Sequence, residues 1–212
     1  MKSKVLLNFF HPYPHRSRVG ARLLKAAREL PGIFINELYE KYPDFFIHVE
    51  KEQELLSEAT LIIMQHPMYW YSGPSLMKEY IDSVYTEGFA YGTGGTALSG
   101  KYCLHVLSTG GPKEAYSPTG YNHFEIDTLL TPFEQTARLC KMRFLKPFVV
   151  HHSGALSAAD IDEAAQSYRS LLSTYLAKVY AQEGLEDVSG KETGSYNNQQ
   201  MEKEEGQEDA DI

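Results

Sequence analysis

The chain has 212 residues, enough for one domain with a sizeable core, and its hydrophobic content of 42% is that of a globular protein. Its formal charge of −8 is confined to one end, because ten acidic residues and two lysines follow from Ala181 onward. Residues 1–180 are therefore formally neutral, which excludes an electrostatic case for nucleic acid or an anionic membrane on the body of the chain.

The composition divides the chain into a domain at residues 1–180 and an acidic tail at 181–212. The tail has too few apolar residues to offset its ordering entropy, so we expect it to be disordered. No segment approaches the roughly 20 apolar residues that span a bilayer, and no signal peptide is evident. Two cysteines, Cys103 and Cys140, are too few for a disulfide framework and indicate the reduced thiols of a cytoplasmic chain.

Short apolar runs alternate with amphipathic segments along the body. In chain order, the pattern predicts a strand at 4–10, a helix at 17–30, a strand at 33–39, a helix at 49–59, a strand at 60–65, a helix at 74–84, a glycine-rich loop at 88–100, a strand at 102–108, a helix at 131–140, a strand at 148–151 and a helix at 158–180. Ser17 is a plausible N-cap and Pro74 suits a first helical position. This alternation predicts a mostly parallel sheet covered on both faces.

Ligands of such sheets bind beyond the carboxyl ends of the strands, so the segments that follow the strands are the candidate binding segments. After the first strand, residues 11–17 open into a helix whose unpaired N–H groups and partial positive charge suit a phosphate. Ser17 could add a hydroxyl donor, and Arg16 or Arg18 a charge. His11 and His15 lie four residues apart, but no carboxylate or cysteine nearby supports a metal site.

After the third strand, residues 67–74 place four bulky side chains at a strand end, closed by Gly73-Pro74. This is too apolar for an ordinary surface turn. The segment, which contains Trp70, could pack under the following helix or could edge a flat aromatic ligand.

After the fourth strand, Ser108, Thr109, Gly110 and Gly111 let the backbone approach a ligand closely and offer N–H groups to it. Tyr116 and His123 follow shortly, and each could donate a proton or stabilise developing charge. Taken singly, Tyr116 could instead be a structural hydroxyl, and His123 could instead be a helix cap.

Two nucleotide-like motifs are rejected. Residues 95–101 spell G-x-x-x-x-G-K, but Tyr102 stands where a serine or threonine must reach magnesium, and residues 92–97 spell G-x-G-x-x-A. Both precede a strand, whereas phosphate-binding motifs follow a strand and open a helix.

Taken together and in order, these segments resemble known proteins over about residues 2–180. HPMYWYSGP at 66–74, the helix with Lys78 and Tyr80, GFAYG at 88–92 and STGG at 108–111 resemble the NAD(P)H:quinone oxidoreductase family, which includes DT-diaphorase. HPYPH at 11–15, YPDFF at 42–46, QHPM at 65–68 and GGTAL at 94–98 are similar to the ancillary flavoproteins of bacterial glutathione-gated potassium-efflux systems.

The resemblance implies a flavodoxin-like three-layer α/β/α fold with a five-stranded parallel sheet of strand order 2-1-3-4-5. It also implies FMN rather than FAD, because the chain stops before the FAD-binding extension of the larger relatives. The implied binding residues are His11, Ser17, Arg18, Val19 and Gly20 at the phosphate, Pro67, Met68, Tyr69 and Trp70 beside the isoalloxazine, and Ser108, Thr109, Gly110 and Gly111 at its pyrimidine edge.

The family's catalytic tyrosine and histidine map onto Tyr116 and His123, although His123 lies one residue further from Tyr116 than the DT-diaphorase spacing. Gly20 also departs from the pattern, since the efflux relatives typically have asparagine there and a side-chain contact is lost. The implied activity is a two-electron, ping-pong transfer from NAD(P)H to a quinone, with a hydride passing through flavin N5.

Two other functions stay open. One is a regulatory ancillary subunit that activates a potassium-efflux antiporter, which would place a cytoplasmic protein peripherally at the inner membrane through its transporter partner. The other is a flavodoxin-fold carrier of single electrons. Because relatives are dimers whose active sites borrow residues across the interface, we also expect a homodimer.

Overall fold

A parallel sheet forms the centre of the molecule, which is known from a computed structural model that describes residues 4–185. Its strands are β1 (Val5–Phe9), β2 (Ile33–Glu37), β3 (Leu61–Pro67), β4 (Tyr102–Ser108), β5 (Arg143–Phe144) and β6 (Phe148–Val150). The strand order is β2-β1-β3-β4-β5, and β6 also pairs with β4. β1 and β3 are buried along their whole length, as expected for strands covered on both faces.

Helices cover both faces of this sheet, which confirms the predicted three-layer α/β/α fold. They are α1 (Arg18–Arg28), α2 (Leu38–Lys41), α3 (Val49–Glu58), α4 (Ser75–Val84), α5 (Ile126–Leu129), α6 (Thr131–Leu139) and α7 (Ala158–Ala181). One face packs against α1 and α7, and the other packs mainly against α2, α3, α4 and α6. Among residues 4–185, none of these helices combines the length and apolarity that crossing a bilayer requires.

The strand order 2-1-3-4-5 is confirmed, with the predicted last strand, β6, beside β4. The prediction of five strands missed β5, because two residues are too few to show a periodicity. The strand predicted to reach Tyr39 ends at Glu37, where α2 begins. Pro74 is the N-cap of α4 and not its first residue. The loop at 88–100 contains no helix or strand.

The parallel strands define two opposite edges of the sheet. The carboxyl edge, where the strands end, carries Phe9, Glu37, Pro67, Ser108 and Val150. It includes the switch point between β1 and β3, because the chain leaves β1 toward β2 on one side and later returns to β3 on the other.

The amino edge, where the strands begin, contains a cavity of about 440 Å³ lined by residues that include Lys4, Tyr102 and Arg143. Lys101 lies at this edge, and its Nζ donates to the carbonyl oxygens of Ser57 and Ala59 at the end of α3. The lysine of the rejected G-x-x-x-x-G-K pattern therefore contacts a helix C-terminus. Leu185 packs here with its amide bonded to the Tyr102 hydroxyl, and the rest of the predicted tail, 186–212, lies outside the described residues.

A carboxylate is buried inside one helical layer. Glu52 on α3 has no exposed side-chain surface, and it accepts hydrogen bonds from Asn36 Nδ2 at 2.7 Å, Lys41 Nζ at 2.6 Å and Tyr42 Oη at 2.7 Å. Asn36 also donates to Asn8 on β1 at 2.9 Å. We call these five residues the Glu52 network. They join α3 to α2 and to the two strands on that side of the sheet.

Candidate functional site

The start of α1 presents backbone N–H groups that no side chain caps at the carboxyl edge of the sheet. The first N–H groups of a helix have no partner within it, and here those of Arg18, Val19 and Gly20 are not capped by a side chain. Ser17 is the N-cap, as predicted, but within residues 4–185 its hydroxyl makes no capping bond. With His11, these four residues form what we call the anion cradle.

His11 and Gly20 complete the cradle. The amide of Tyr13 donates to His11 Nδ1 at 3.1 Å, so the neutral ring carries its proton on Nε2 and can donate it; burial lowers the pKa of His11. A Cβ on Gly20 would lie 2.5 Å from Ser17 Oγ and 3.7 Å from the His11 ring. Glycine is therefore required for this placement of the Ser17 hydroxyl.

The two arginines considered at this position have other partners. Arg18 donates from Nη1 to the Gly154 carbonyl at 3.1 Å and from Nη2 to the Leu156 carbonyl at 2.8 Å. The guanidinium of Arg16 lies over the Tyr13 ring. Arg18 thus reaches the cradle through its backbone N–H, while its charge anchors α1 to the segment that follows β6.

The segment after β3 is a tight aromatic hairpin, which we define as residues 68–72. Tyr69 and Ser72 exchange both backbone hydrogen bonds at 3.0 Å, and Trp70 and Tyr71 between them have φ values of 51° and 62°. Positive φ at both central positions is the pattern of a type I′ turn, which normally favours asparagine and glycine. Trp70 is 94% exposed, so it does not pack under the following helix, and the ligand edge stays a prediction.

Two buried histidines support the base of this hairpin. His66 donates from Nδ1 to the Pro67 carbonyl at 3.0 Å, and its Nε2 accepts from His105 Nδ1 at 3.1 Å. Burial lowers the pKa of His66 to about 4, and burial together with the neighbouring His66 lowers the pKa of His105, so both rings are neutral near pH 7. Pro67 is buried and Met68 half-buried, with the amide of Met68 bonded to the Ser108 carbonyl at 2.8 Å.

The segment after β4, Ser108 to Gly111, forms a turn that we call the glycine turn. Thr109 is fully buried, and its hydroxyl donates to the Gly111 carbonyl at 2.9 Å. Within residues 4–185, the N–H groups of Gly110 and Gly111 have no hydrogen-bond partner, and Gly110 is exposed. The turn thus presents two backbone donors beside the aromatic hairpin.

Tyr116 lies next to the glycine turn, as a Cβ on Gly111 would be 3.3 Å from its ring. The histidine that its ring contacts is His151, with ring centroids 5.5 Å apart. His123 is exposed, has a φ of 60° and makes no ring contact with Tyr116 within the described chain. The structure therefore brings Tyr116 to the turn but does not pair it with His123.

Three residues at this edge were not singled out from the sequence. His151 follows β6, so the rule that selects post-strand segments applies to it equally. Tyr121 has its hydroxyl directly beside Gly111, and Asn122 accepts a hydrogen bond from the Tyr71 hydroxyl at 3.2 Å. No sequence pattern indicates these last two contacts, because they form between separate loops.

The three segments meet at one edge with complementary chemistry. The anion cradle suits a phosphate, the aromatic hairpin suits a flat ring, and the two N–H groups of the glycine turn suit ring carbonyl or nitrogen acceptors. The arrangement can bind an anionic, planar molecule and stabilise negative charge along one edge of it.

Known proteins that are similar to this chain include flavin-binding proteins. A family model described as flavodoxin-like fold matches residues 3–172. The chain is 43% identical over 173 residues to the glutathione-regulated potassium-efflux system ancillary protein KefG of Pectobacterium atrosepticum, covering 82% of this chain and 94% of that protein.

Two solved structures are similar over most of their length. The general stress protein 14 of Treponema denticola, in complex with FMN, has a TM-score of 0.77 and 32% identity, covering 81% of this chain and 98% of that one. An NADPH-quinone reductase from P. pentosaceus has a TM-score of 0.73 and 31% identity, covering 79% and 96% respectively.

Proposed function

This chain belongs to the flavodoxin-like fold family, and from that premise we propose that it is an FMN-dependent oxidoreductase that transfers two electrons from NAD(P)H to a quinone. The observation that carries the proposal is that the uncapped start of α1, the exposed aromatic hairpin and the unpaired N–H groups of the glycine turn lie at one sheet edge. FMN has a phosphate, a flat ring system and a carbonyl-bearing ring edge, one for each of these features.

The residues present fit the cofactor. A phosphate would be held by the N–H groups of Arg18, Val19 and Gly20, the Ser17 hydroxyl and His11 Nε2, in the space that glycine at position 20 leaves open. Bound FMN would supply the redox chemistry, accepting a hydride from the nicotinamide and returning it to the quinone. The protein would contribute binding, orientation and the exclusion of water.

The glycine turn would contribute electrostatic stabilisation. Preorganised N–H donors aimed at developing negative charge are worth on the order of 3 kcal/mol each in transition-state stabilisation. Gly110 and Gly111 provide two such donors, and the half-buried Tyr116 adds a hydroxyl that has no hydrogen-bond partner within residues 4–185. We assign Tyr116 the role of proton donor or charge-stabilising group at this edge.

An absorption titration tests the proposal. The purified protein, reconstituted with FMN if necessary, should show flavin absorption bands that NAD(P)H bleaches under anaerobic conditions and that a simple quinone restores. A protein that takes up no FMN, or whose bound FMN is not reduced by NADH or NADPH, contradicts it. A stable one-electron form during the titration would favour the single-electron carrier instead.

Ser17→Ala should weaken FMN binding about tenfold or more, because a hydrogen bond to a charged group contributes about 1.5–3 kcal/mol. Gly20→Ala should weaken it similarly with Ser17 intact, since the new Cβ displaces the Ser17 hydroxyl. The measurement is the dissociation constant of FMN from fluorescence quenching. Ser170→Ala, at an exposed position on α7, is the control, and equal affinity in all four proteins would remove Ser17 from the cradle.

Tyr116→Phe should slow turnover roughly tenfold or more while leaving FMN content unchanged, because it removes one polar group and keeps the ring that packs beside Gly111. Steady-state quinone reduction and the flavin-to-protein ratio measure the two quantities. Turnover equal to that of the wild type would remove the Tyr116 hydroxyl from the mechanism.

A second function is favoured by the 43% identity to an ancillary protein of a potassium-efflux system. We propose that the chain also binds and activates a glutathione-gated potassium-efflux antiporter. An exposed turn is one surface available for such a contact: Phe45 and Phe46 are both exposed there, and the Phe46 amide donates to Asp44 Oδ1 at 3.1 Å. This turn belongs to the YPDFF segment at 42–46.

Potassium efflux from vesicles that contain such an antiporter tests this second function. Addition of the protein should raise the glutathione-gated efflux rate, and Phe46→Ser should reduce the gain without changing quinone reduction. An efflux rate that does not respond to the wild-type protein contradicts the regulatory role.

A further inference from the structure

The glycine turn is fastened to the segment that follows β6. The amide of Thr109 donates to the Val150 carbonyl, the amide of Ser153 donates to the Thr109 carbonyl, and the amide of His152 donates to the Gly111 carbonyl, each at 2.9 Å. Three backbone hydrogen bonds thus connect the two segments. The position of the turn depends on residues 150–153 as well as on β4.

His151 adds a side-chain connection to this junction. Its Nδ1 lies 3.1 Å from Thr109 Oγ1, and that hydroxyl donates its single hydrogen to the Gly111 carbonyl at 2.9 Å. Because a hydroxyl has only one hydrogen, His151 Nδ1 must be the donor in the first of these bonds. The neutral ring is therefore the Nδ1–H tautomer.

The rest of the His151 ring faces Tyr116. The two rings are 5.5 Å apart and inclined at 41°, and within residues 4–185 Nε2 of His151 has no hydrogen-bond partner. Burial lowers the pKa of His151, Lys113 lowers it further and Glu114 opposes the change, so the ring is neutral near pH 7. A neutral, half-buried imidazole thus contacts both Thr109 and Tyr116.

We propose that His151 is a positioning residue for the redox site, which holds the glycine turn through Thr109 and supports the Tyr116 ring. The hydrogen bonds from His151 Nδ1 to Thr109 Oγ1 and from Thr109 Oγ1 to the Gly111 carbonyl oxygen fix the glycine turn, whose N–H groups at Gly110 and Gly111 would face the flavin. This role rests on the proposed function, since it concerns the edge at which the flavin ring would be bound.

The side-chain chemistry of position 151 distinguishes this role from simple packing. The amide nitrogen of asparagine can occupy the position of Nδ1, whereas that of glutamine reaches the position of Nε2. His151→Asn should therefore retain the bond to Thr109, while His151→Gln and His151→Ala should lose it. A packing role would instead favour glutamine, which is closer to histidine in volume.

Two measurements on the full-length protein test the proposal. We expect His151→Ala and His151→Gln to weaken FMN binding about five- to tenfold, the effect of one hydrogen bond, and His151→Asn to restore affinity to within about twofold of wild type. The control is His152→Asn, which changes the adjacent exposed histidine and keeps its backbone bond to Gly111. Equal losses for all three substitutions at 151 would overturn the proposal.

The second measurement uses the protein without FMN. Ring-nitrogen chemical shifts from NMR should identify His151 as the Nδ1–H tautomer, and Thr109→Val should abolish that preference. Thr109→Val and His151→Ala should also be non-additive, the double variant binding FMN no more than about twofold more weakly than either single variant. An Nε2–H tautomer, or additive losses, would contradict the connection through Thr109.

The two readouts separate this proposal from the proposed function. If the wild type binds no FMN but the tautomer and its dependence on Thr109 are as described, the proposed function fails and the connection stands. If FMN binds and turns over but the tautomer is Nε2–H, the positioning role alone is overturned.

Discussion

Replacing Gly120 by alanine should slow quinone reduction by about 10²-fold, the effect of displacing catalytic groups by about 1 Å. A Cβ at this position would meet the carbonyl oxygens of Glu114 and Ala115, the second at 2.5 Å. Both are backbone atoms that cannot rotate away. The loop must therefore open, and it carries Tyr116 and Tyr121 beside the glycine turn. Steady-state kinetics with NADPH and a soluble quinone measure the loss.

Gly154→Ala is the matched control for this substitution, because a Cβ on Gly154 meets nothing within 4 Å. It should leave turnover within about twofold of the wild type. Full activity in Gly120→Ala would show that the geometry of this loop does not matter for turnover.

Glu52→Ala should lower the free energy of unfolding by about 3–5 kcal/mol, because two buried hydrogen-bond donors lose their acceptor at a cost of about 1–3 kcal/mol each. Asn36 and Tyr42 would keep buried polar atoms without their acceptor, and Lys41 would lose its ion pair. Urea unfolding followed by far-ultraviolet circular dichroism measures the change. The apolar core around the network should keep the variant folded without denaturant.

Glu54→Ala is the control, because it removes the same charge from an exposed position on the same helix. Its effect should stay within about 0.5 kcal/mol. The loss of unfolding free energy in Glu52→Gln should lie between those of Glu52→Ala and Glu54→Ala. Its amide oxygen can still accept a hydrogen bond, but its amide NH₂ would face other donors. A loss below about 1 kcal/mol in Glu52→Ala would show that the network relaxes or admits water.

The fold could be predicted from the sequence because its signals are local and repeated. The buried runs of β1, β3 and β4 and the apolar face of α1 recur at strand and helix spacings. The β5 strand could not be predicted, since its two residues pair only where tertiary structure places them beside β4. α2 likewise interrupts an apolar run that reads as a strand.

The sequence indicates which segments form the candidate site, but it does not indicate which residues their side chains contact. Post-strand position and residue type indicate the anion cradle, the aromatic hairpin and the glycine turn. The partner of the Arg18 side chain lies 136 residues away in sequence, and that of Thr109 Oγ1 lies 42 residues away. The contact between Tyr116 and His151 likewise joins residues that are far apart in sequence. The cofactor-binding roles, the homodimer and the role of His123 stay predictions.

The exposure of Trp70 determines what its fluorescence can report. It is the chain's one tryptophan, and it is exposed to solvent at the tip of the aromatic hairpin. Its emission in the native protein should already resemble that of the unfolded chain, so the wavelength is a poor indicator of unfolding. By contrast, a molecule that binds at the carboxyl edge would quench the Trp70 fluorescence directly. Indole emission therefore follows occupancy of this edge, and the stability of the core requires a different signal.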